Sequence, residues 1–267
     1  MSYWDLSKMV WPPRTSYTTD QIPDLSGKVA LVTGGNKGIG KEMIHHLLRK
    51  NAKVYLGARS ASKAEAAIEE LYQLTGKKAI FLEVDMADFD SVKTAAANFL
   101  KQEERLDILF NNAGILSAST EKKSPQGYEL ALTTNTLSPY LFTKLLLPTL
   151  KSTAASTGTP TRMVWAISSA PFFFKNNYLD YSTFKLESLG NPPLGGNLLY
   201  GQSKSGAAML AQQLARKVPQ QDGEVYFLSI DPGGIRTDLF DEMGSVRMWF
   251  QNTFINNPVW KGALTSL

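Results

Sequence analysis

Two tyrosine–lysine pairs of identical spacing lie within one short stretch of the sequence, YSTFKLESLGNPPLGGNLLYGQSK. The first pair is Tyr181 and Lys185, and the second is Tyr200 and Lys204. On a helix this spacing puts both side chains on one face, where the lysine ammonium can lower the pKa of the phenol. Such a phenol can give or take a proton at neutral pH, as a general acid or base does. This chemistry requires that the pair lies on a helix.

The residues that follow each pair distinguish the two. Tyr181 is followed by LESLGNPPLGG, whose prolines and glycines oppose a helix. Tyr200 begins YGQSKSGAAMLAQQLARK, which is rich in helix-favouring residues and has apolar positions at helical spacing. The sequence therefore predicts that Tyr200 and Lys204 form the reactive pair and that Tyr181 lies in a loop.

A glycine-rich stretch, TGGNKGIG, lies between the first predicted strand and the first predicted helix. Glycines there let the backbone approach a pyrophosphate, whose charge is met by the amino-terminal end of the helix. This position favours a dinucleotide site over an ordinary turn. The predicted cofactor-binding residues of the stretch are Gly34, Asn36, Lys37, Gly38, Ile39 and Gly40.

The elements that must position these residues follow one pattern from Gly27 onward. Short β-branched runs at 28–33, 53–57, 79–83, 106–111, 162–168 and 225–230 alternate with helical patterns at 39–50, 63–74, 88–102, 128–147 and 200–217. The alternation predicts a single-domain, Rossmann-type doubly wound parallel sheet with three α/β/α layers, which binds ligands beyond the carboxyl ends of its strands. We expect an irregular leader at residues 1–24 and a domain at 25–267 with substrate loops at 171–199 and 238–260.

Composition and charge exclude several classes of function. The 28 Lys+Arg and 24 Asp+Glu are scattered and give a net charge of only +4, which argues against nucleic-acid binding. Without cysteine there is no disulfide, thiolate metal site or cysteine nucleophile. The only histidines, His45 and His46, are adjacent and project about 100° apart on a helix, so we predict no metal site. No apolar run approaches ~20 residues and no signal peptide is recognisable, so we expect a cytoplasmic protein without a transmembrane segment.

Three of these motifs together resemble the short-chain dehydrogenase/reductase family over about residues 25–240. They are the spacing Gly34-x-x-x-Gly38-x-Gly40, the run NNAG after the fourth strand, and YGQSK, which resembles the retinol-dehydrogenase-like branch. The resemblance implies hydride transfer between nicotinamide and a carbonyl or alcohol carbon. Tyr200 would supply the proton, while Lys204 would lower the phenol pKa and bind the nicotinamide ribose.

The resemblance also implies the remaining site residues. Ser169, with Ser168 as the alternative, would donate a hydrogen bond to the substrate oxygen. Ser168 precedes Tyr181 by 13 residues, as in many members, whereas Ser169 precedes Tyr200 by 31, which a long insertion in that branch explains. Asn135 would hold a water that links the lysine to solvent, although Ser138 stands where the family usually has glycine. Cofactor contacts are also implied for Asp85, Asn112, Ala113, Gly114, Pro232, Gly233 and Thr237.

Charge and aromatic residues indicate the cofactor and the substrate. Arg59 lies 19 residues beyond Gly40 with no acid beside it, which favours the 2′-phosphate of NADP(H), and Lys37 adds a second positive charge. The runs 171–174 and 239–250 are rich in Phe, Met and Trp, so we expect a lipophilic carbonyl or alcohol substrate. The final residues, WKGALTSL, resemble the start of the family's last helix, so either the native product is longer or the sheet lacks the family's last edge strand. We expect the second, with an exposed edge that a homo-oligomer could cover.

Three functions remain open from the sequence. The first is an NADP(H)-dependent ketone or aldehyde reductase, which the Asn, Ser, Tyr and Lys set favours. The second is an NADP(H)-binding sensor or regulator without turnover. The third is a repurposed member of the family that catalyses isomerisation or cyclisation.

Overall fold

Six parallel strands form one sheet at the centre of the molecule. The computed structural model describes residues 17–116, 122–169, 171, 179–184, 195–219, 224–235 and 257–267. The strands are β1 Val29–Thr33, β2 Lys53–Ala58, β3 Ile80–Glu83, β4 Ile108–Asn111, β5 Thr161–Ala166 and β6 Val225–Ile230. They are arranged in the order β3-β2-β1-β4-β5-β6. This order confirms the predicted single α/β domain with a doubly wound sheet.

Helices cover both faces of the sheet. They are α1 Gly38–Arg49, α2 Ala61–Thr75, α3 Phe89–Gln102, α4 Ser138–Thr157, α5 Gly195–Lys217 and α6 Val259–Ser266. A π-helical turn, Thr133–Leu137, leads into α4. Helices α1, α2 and α6 pack on one face and α3, α4 and α5 on the other, because apolar residues alternate between the two faces along each strand. The result is the predicted three-layer arrangement.

The point where the strand order reverses lies between β1 and β4. Both strands pair in parallel, with Leu31 opposite Leu109, and β1 also pairs with β2 on its other side. The chain leaves β1 and β4 toward opposite faces, so their carboxyl ends open a crevice between the two departing segments. The glycine stretch and the NNAG run follow these two strands and therefore meet at the crevice.

Two helix boundaries differ from the prediction. Helix α4 passes through Pro148 to Thr157, whereas the sequence predicted an end at residue 147. Pro148 lacks the N–H that would bond the preceding turn, but Leu150 and Ala154 beyond it are buried in the core and hold the helix together. Helix α5 begins at Gly195 rather than at Tyr200. The cost of a glycine in a helix is only about 1 kcal/mol, which tertiary packing outweighs.

Several predicted features lie outside the described residues. They are most of the leader, the Phe-rich run at 172–174, the apolar run at 239–250, and Lys185 and Thr237. None of the helices in the described part of the chain combines the length and apolar character that a bilayer-spanning helix needs.

Candidate active site

The glycine stretch forms a tight loop that packs against the chain after β4. Gly34 and Gly38 have φ angles of +67° and +55°, a region that favours glycine. A Cβ on Gly40 would overlap the carbonyl oxygen of Gly34 and lie 2.6 Å from Nδ2 of Asn112. Gly38 begins α1, so the free N–H groups of that helix end point into the loop. The loop thus has the shape and the donors to hold a pyrophosphate.

Thr33, which the sequence analysis did not assign to the site, joins the glycine loop to the NNAG run. Its Oγ1 accepts hydrogen bonds from the N–H groups of Asn112 and Ala113, both at 3.1 Å, and donates to the carbonyl of Phe110 at 3.2 Å. The side chain of Asn112 returns a hydrogen bond to the Thr33 carbonyl at 2.9 Å. The signal for this role is a hydroxyl at the last position of the strand before the glycines.

Asn135 lies in the π-helical turn and holds the backbone after the NNAG run. Its Oδ1 accepts from the N–H of Ile115 at 2.9 Å, and its Nδ2 donates to the Ile115 carbonyl at 3.0 Å. Nδ2 also donates to Oγ of Ser203 at 2.9 Å. A Cβ on Gly114 would lie 3.3 Å from both Asn135 Oδ1 and Lys204 Nζ, so the three residues meet at one point. Single π turns inside α-helices often occur at functional sites.

Tyr200 lies in helix α5, as predicted, and its phenol is buried. Its relative exposure is 7%, whereas Tyr181, in the short 3-10 turn Tyr181–Thr183, is 74% exposed. Burial raises the pKa of Tyr200 to about 12, and the charge of Asp231 also raises it, while a hydrogen bond with Ser168 opposes them. We predicted that Lys204 would lower this pKa, but removal from water dominates. Tyr200 therefore carries its proton at neutral pH.

Lys204 is buried one helical turn after Tyr200. Its exposure is 6%, and Nζ lies 5.8 Å from the centre of the Tyr200 ring and donates to the Ala166 carbonyl at 2.8 Å. Burial lowers the pKa of Lys204 to about 8, and the negative charge of Asp231 opposes this. The ammonium is therefore mostly protonated at neutral pH and loses its proton in mildly basic solution.

The serine beside the phenol is Ser168. The family resemblance favours Ser169, with Ser168 as the alternative, whereas the phenol of Tyr200 hydrogen-bonds the Ser168 side chain. Strand β5 ends at Ala166, so both serines lie in the loop that follows it. This contact places the Ser168 hydroxyl beside the phenol of Tyr200.

Known proteins resemble this chain in sequence and in fold. The family model for the short chain dehydrogenases matches residues 28–185. A short-chain dehydrogenase/reductase of Armillaria gallica is 43% identical over 267 residues, which cover 99% of this chain and 83% of that protein. The chain is a member of the short-chain dehydrogenase/reductase family.

Solved structures agree with this membership. A protein of Mycobacterium paratuberculosis has a TM-score of 0.71 at 24% identity, over 94% of this chain and 79% of that one. The RhlG/NADP active-site complex of Pseudomonas aeruginosa has a TM-score of 0.64 at 25% identity, over 82% and 77% of the two chains. This short-chain dehydrogenase/reductase is therefore an oxidoreductase of the class that uses a nicotinamide cofactor and a small-molecule substrate.

The residues predicted to contact the adenosine half follow strands β2 and β3. In this short-chain dehydrogenase/reductase the N–H of Gly35 donates to the Gly57 carbonyl at 3.2 Å, which places the end of β2 beside the glycine loop. Arg59 follows β2 directly and is exposed, as is Lys37 in the loop. Asp85 follows β3, where its carboxylate accepts the N–H of Ala87 at 2.9 Å.

A short turn, residues 231–234, follows β6. Gly233 has a φ of +82°, and its N–H donates to Oδ1 of Asp231 at 2.9 Å. Pro232 before it is half-buried. Asp231 was not predicted as a site residue, yet its charge acts on both Tyr200 and Lys204. The sequence showed only that an acid follows β6, and nothing in it indicated that this acid faces the reactive pair.

The two histidines pair with a carboxylate that the sequence analysis did not consider. Oε1 of Glu42 lies 3.3 Å from Nε2 of His46 and 4.0 Å from Nδ1 of His45. A hydrogen bond with His46, one helical turn away, lowers the pKa of Glu42. This cluster lies on α1, away from the reactive pair.

Proposed function

We propose that this protein is an NADP(H)-dependent carbonyl reductase, which also runs in reverse as an alcohol dehydrogenase, on a lipophilic small molecule. The observation that carries the proposal is the buried, protonated Tyr200 beside Lys204 at the crevice that the glycine loop borders. A phenol with a pKa of about 12 is an acid that loses its proton only when a stronger base forms next to it. The alkoxide that arises when a carbonyl carbon receives hydride is such a base.

Each residue of the site has a separate task in this reaction. Tyr200 Oη donates its proton to the substrate oxygen, and the Ser168 hydroxyl hydrogen-bonds the same oxygen and holds the carbonyl against the phenol. The bound cofactor supplies or accepts the hydride at its nicotinamide. The Lys204 ammonium would return a proton to the phenol after turnover, and Asn135, which meets it at Gly114, would hold the water that links the lysine to solvent.

The glycine loop fits the pyrophosphate of a dinucleotide. A side chain at Gly40 would occupy the space between the Gly34 carbonyl and Asn112, which only a glycine leaves open. Arg59 and Lys37 would hold the 2′-phosphate of NADP(H), because both are exposed beside this loop and an arginine there suits a phosphate. The NADP bound in the RhlG structure supports the same choice.

The proposed substrate is lipophilic and fits the retinol-dehydrogenase-like branch that YGQSK resembles. Support comes from the aromatic run after Ser169 and from the Met- and Trp-rich run after β6, both of which follow in sequence the carboxyl end of a strand. Apolar and aromatic walls with few polar groups are typical of sites for such ligands.

The test is NADPH consumption at 340 nm with bulky apolar ketones and aldehydes. Wild type and Tyr181→Phe are expected to turn over, whereas Tyr200→Phe should lose at least ~100-fold in kcat, as the loss of a general acid predicts. Ser168→Ala and Ser169→Ala form a matched pair, and the larger loss is expected at Ser168. Full activity of Tyr200→Phe refutes the assignment. NADPH binding without turnover of any carbonyl compound favours a sensor or a repurposed catalyst.

A further inference from the structure

Gln202, in the YGQSK run, hydrogen-bonds segment 179–184 to helix α5, which carries the reactive pair. The buried side chain of Gln202 is 3% exposed. Its Oε1 accepts the backbone N–H of Asp180 at 2.7 Å, and its Nε2 donates to Oγ1 of Thr183 at 3.1 Å. Both ends of the amide thus have partners in one segment, as a buried amide requires. A side chain that could not make these bonds would leave two buried polar groups unsatisfied.

The segment 179–184 is an ordered turn with further anchors. Asp180 caps it by accepting the N–H of Ser182 at 3.0 Å. Beyond the turn, the Phe184 carbonyl accepts the N–H of Glu129 at 3.0 Å. The segment therefore has its own internal hydrogen bonds and rests on the chain before the π-helical turn as well as on α5.

The same turn of α5 is held on a second side by the next residue. Ser203 Oγ accepts from Asn135 Nδ2 at 2.9 Å, and the Ser203 carbonyl accepts from Thr136 Oγ1 at 2.5 Å. Gln202 lies about 200° around the helix from Tyr200, so it faces away from the phenol. It therefore acts on the reactive pair only through the helix.

We propose that Gln202 is a positioning residue. By joining segment 179–184 to α5, it fixes the rotation of the turn that presents Tyr200 and Lys204 to the crevice. In the run YGQSK the tyrosine and lysine carry out the chemistry, and the glutamine and serine between them hold the turn from two sides. The kinetic part of this inference rests on the proposed reductase function, and the structural part does not.

Amide hydrogen exchange tests the structural part without any substrate. In Gln202→Met, whose side chain is of similar length but makes no such bonds, the Asp180 amide should exchange at least about tenfold faster than in wild type. The amides of residues 203–206 should also exchange faster, because their turn has lost its attachment to segment 179–184. Unchanged exchange at 203–206 overturns the proposal, whatever the activity.

Kinetics test the consequence for the reactive pair. Gln202→Met should lower kcat about tenfold, because a small misplacement of catalytic groups is costly. The Kd for NADPH, from fluorescence titration, should change less than kcat, since the glycine loop that would hold the pyrophosphate is fixed by Asn112 and not by α5. Thr183→Val removes the bond from Nε2 of Gln202 and also the bond that Thr183 Oγ1 donates to the Asp180 carbonyl at 2.7 Å. It keeps the bond between the Asp180 N–H and Gln202 and should have a smaller effect, while Thr183→Ser keeps the hydroxyl and should match wild type.

The outcomes separate the two proposals. If wild type reduces no carbonyl compound, the proposed function fails, and exchange alone decides the role of Gln202. If Gln202→Met exchanges faster at both places but keeps the wild-type kcat, Gln202 holds the loop without positioning the pair, and the proposal is wrong.

Discussion

Replacement of Asp231 by asparagine should move the pH dependence of reduction to lower pH. Burial lowers the pKa of Lys204 to about 8, and the charge of Asp231 keeps it from falling further. Without that charge the ammonium is less stable, so the lysine loses its proton at a lower pH. The pKa of Tyr200, about 12, also falls, because Asp231 helps to raise it. The phenol still stays protonated over the usual assay range, so only the lysine titration is visible there.

The size of the effect follows from the lysine pKa. With a pKa of about 8, roughly nine in ten Lys204 side chains are protonated at pH 7 and roughly one in ten at pH 9. If the charged lysine is the active form, kcat/KM for the wild type falls about tenfold between these two pH values. In Asp231→Asn the same tenfold fall in kcat/KM occurs at a lower pH. At pH 8 the kcat/KM of this variant is therefore below that of the wild type.

The assay is NADPH oxidation with saturating cofactor across pH 6 to 10. Asp90→Asn is the matched control, because Asp90 is an exposed carboxylate on α3 that pairs with Lys93. Its profile should coincide with that of the wild type. A midpoint that stays in place or rises in Asp231→Asn would falsify the view that the Asp231 charge supports the Lys204 ammonium.

Two further predictions concern the cofactor. Gly40→Ala should weaken NADPH binding at least about tenfold in fluorescence titration, because its Cβ collides with the Gly34 carbonyl. The control is Gly76→Ala, whose added Cβ meets no neighbouring atom. Because Gly76 has a φ of +69°, this change should lower stability but leave the affinity for NADPH unchanged. Arg59→Asp should raise the KM for NADPH about 10- to 100-fold, because charged hydrogen bonds to the 2′-phosphate are lost. It should lower the KM for NADH, because an acid at this position can bind the ribose hydroxyl. Lys217→Asp, at the exposed end of α5, controls for net charge, and equal changes with both cofactors count against the phosphate contact.

The alternation of strands and helices made the fold predictable, because buried parallel strands leave unbroken apolar runs. The choice of Tyr200 over Tyr181 also rested on local sequence. Prolines and glycines after Tyr181 oppose a helix, whereas the run after Tyr200 favours one. The structure supports that choice by burying Tyr200 and exposing Tyr181. Local propensity was enough for both inferences.

Side-chain contacts between distant segments were not predictable. Thr33, Gln202 and Asp231 act on residues that are distant in the sequence. A sequence pattern does not show which distant side chains come into contact in the fold. The net pKa of Tyr200 was predicted in the wrong direction for a related reason. The sequence showed a nearby cation in Lys204, whereas the depth of burial emerges only when the whole core is assembled.

The site draws its groups from the chain after β1, after β4 and after β5, and from the π-helical turn and the start of α5. Strands β2, β3 and β6 contribute Arg59, Asp85 and Asp231 in the same way, so binding competence appears only when the sheet is complete. Parallel sheets with long crossovers are slow to form because their contacts are far apart in sequence. A cofactor that binds only the finished fold stabilises it by about 2.7 kcal/mol at a hundredfold excess over Kd. The amount of this protein that survives quality control in a cell is therefore expected to follow the supply of its cofactor.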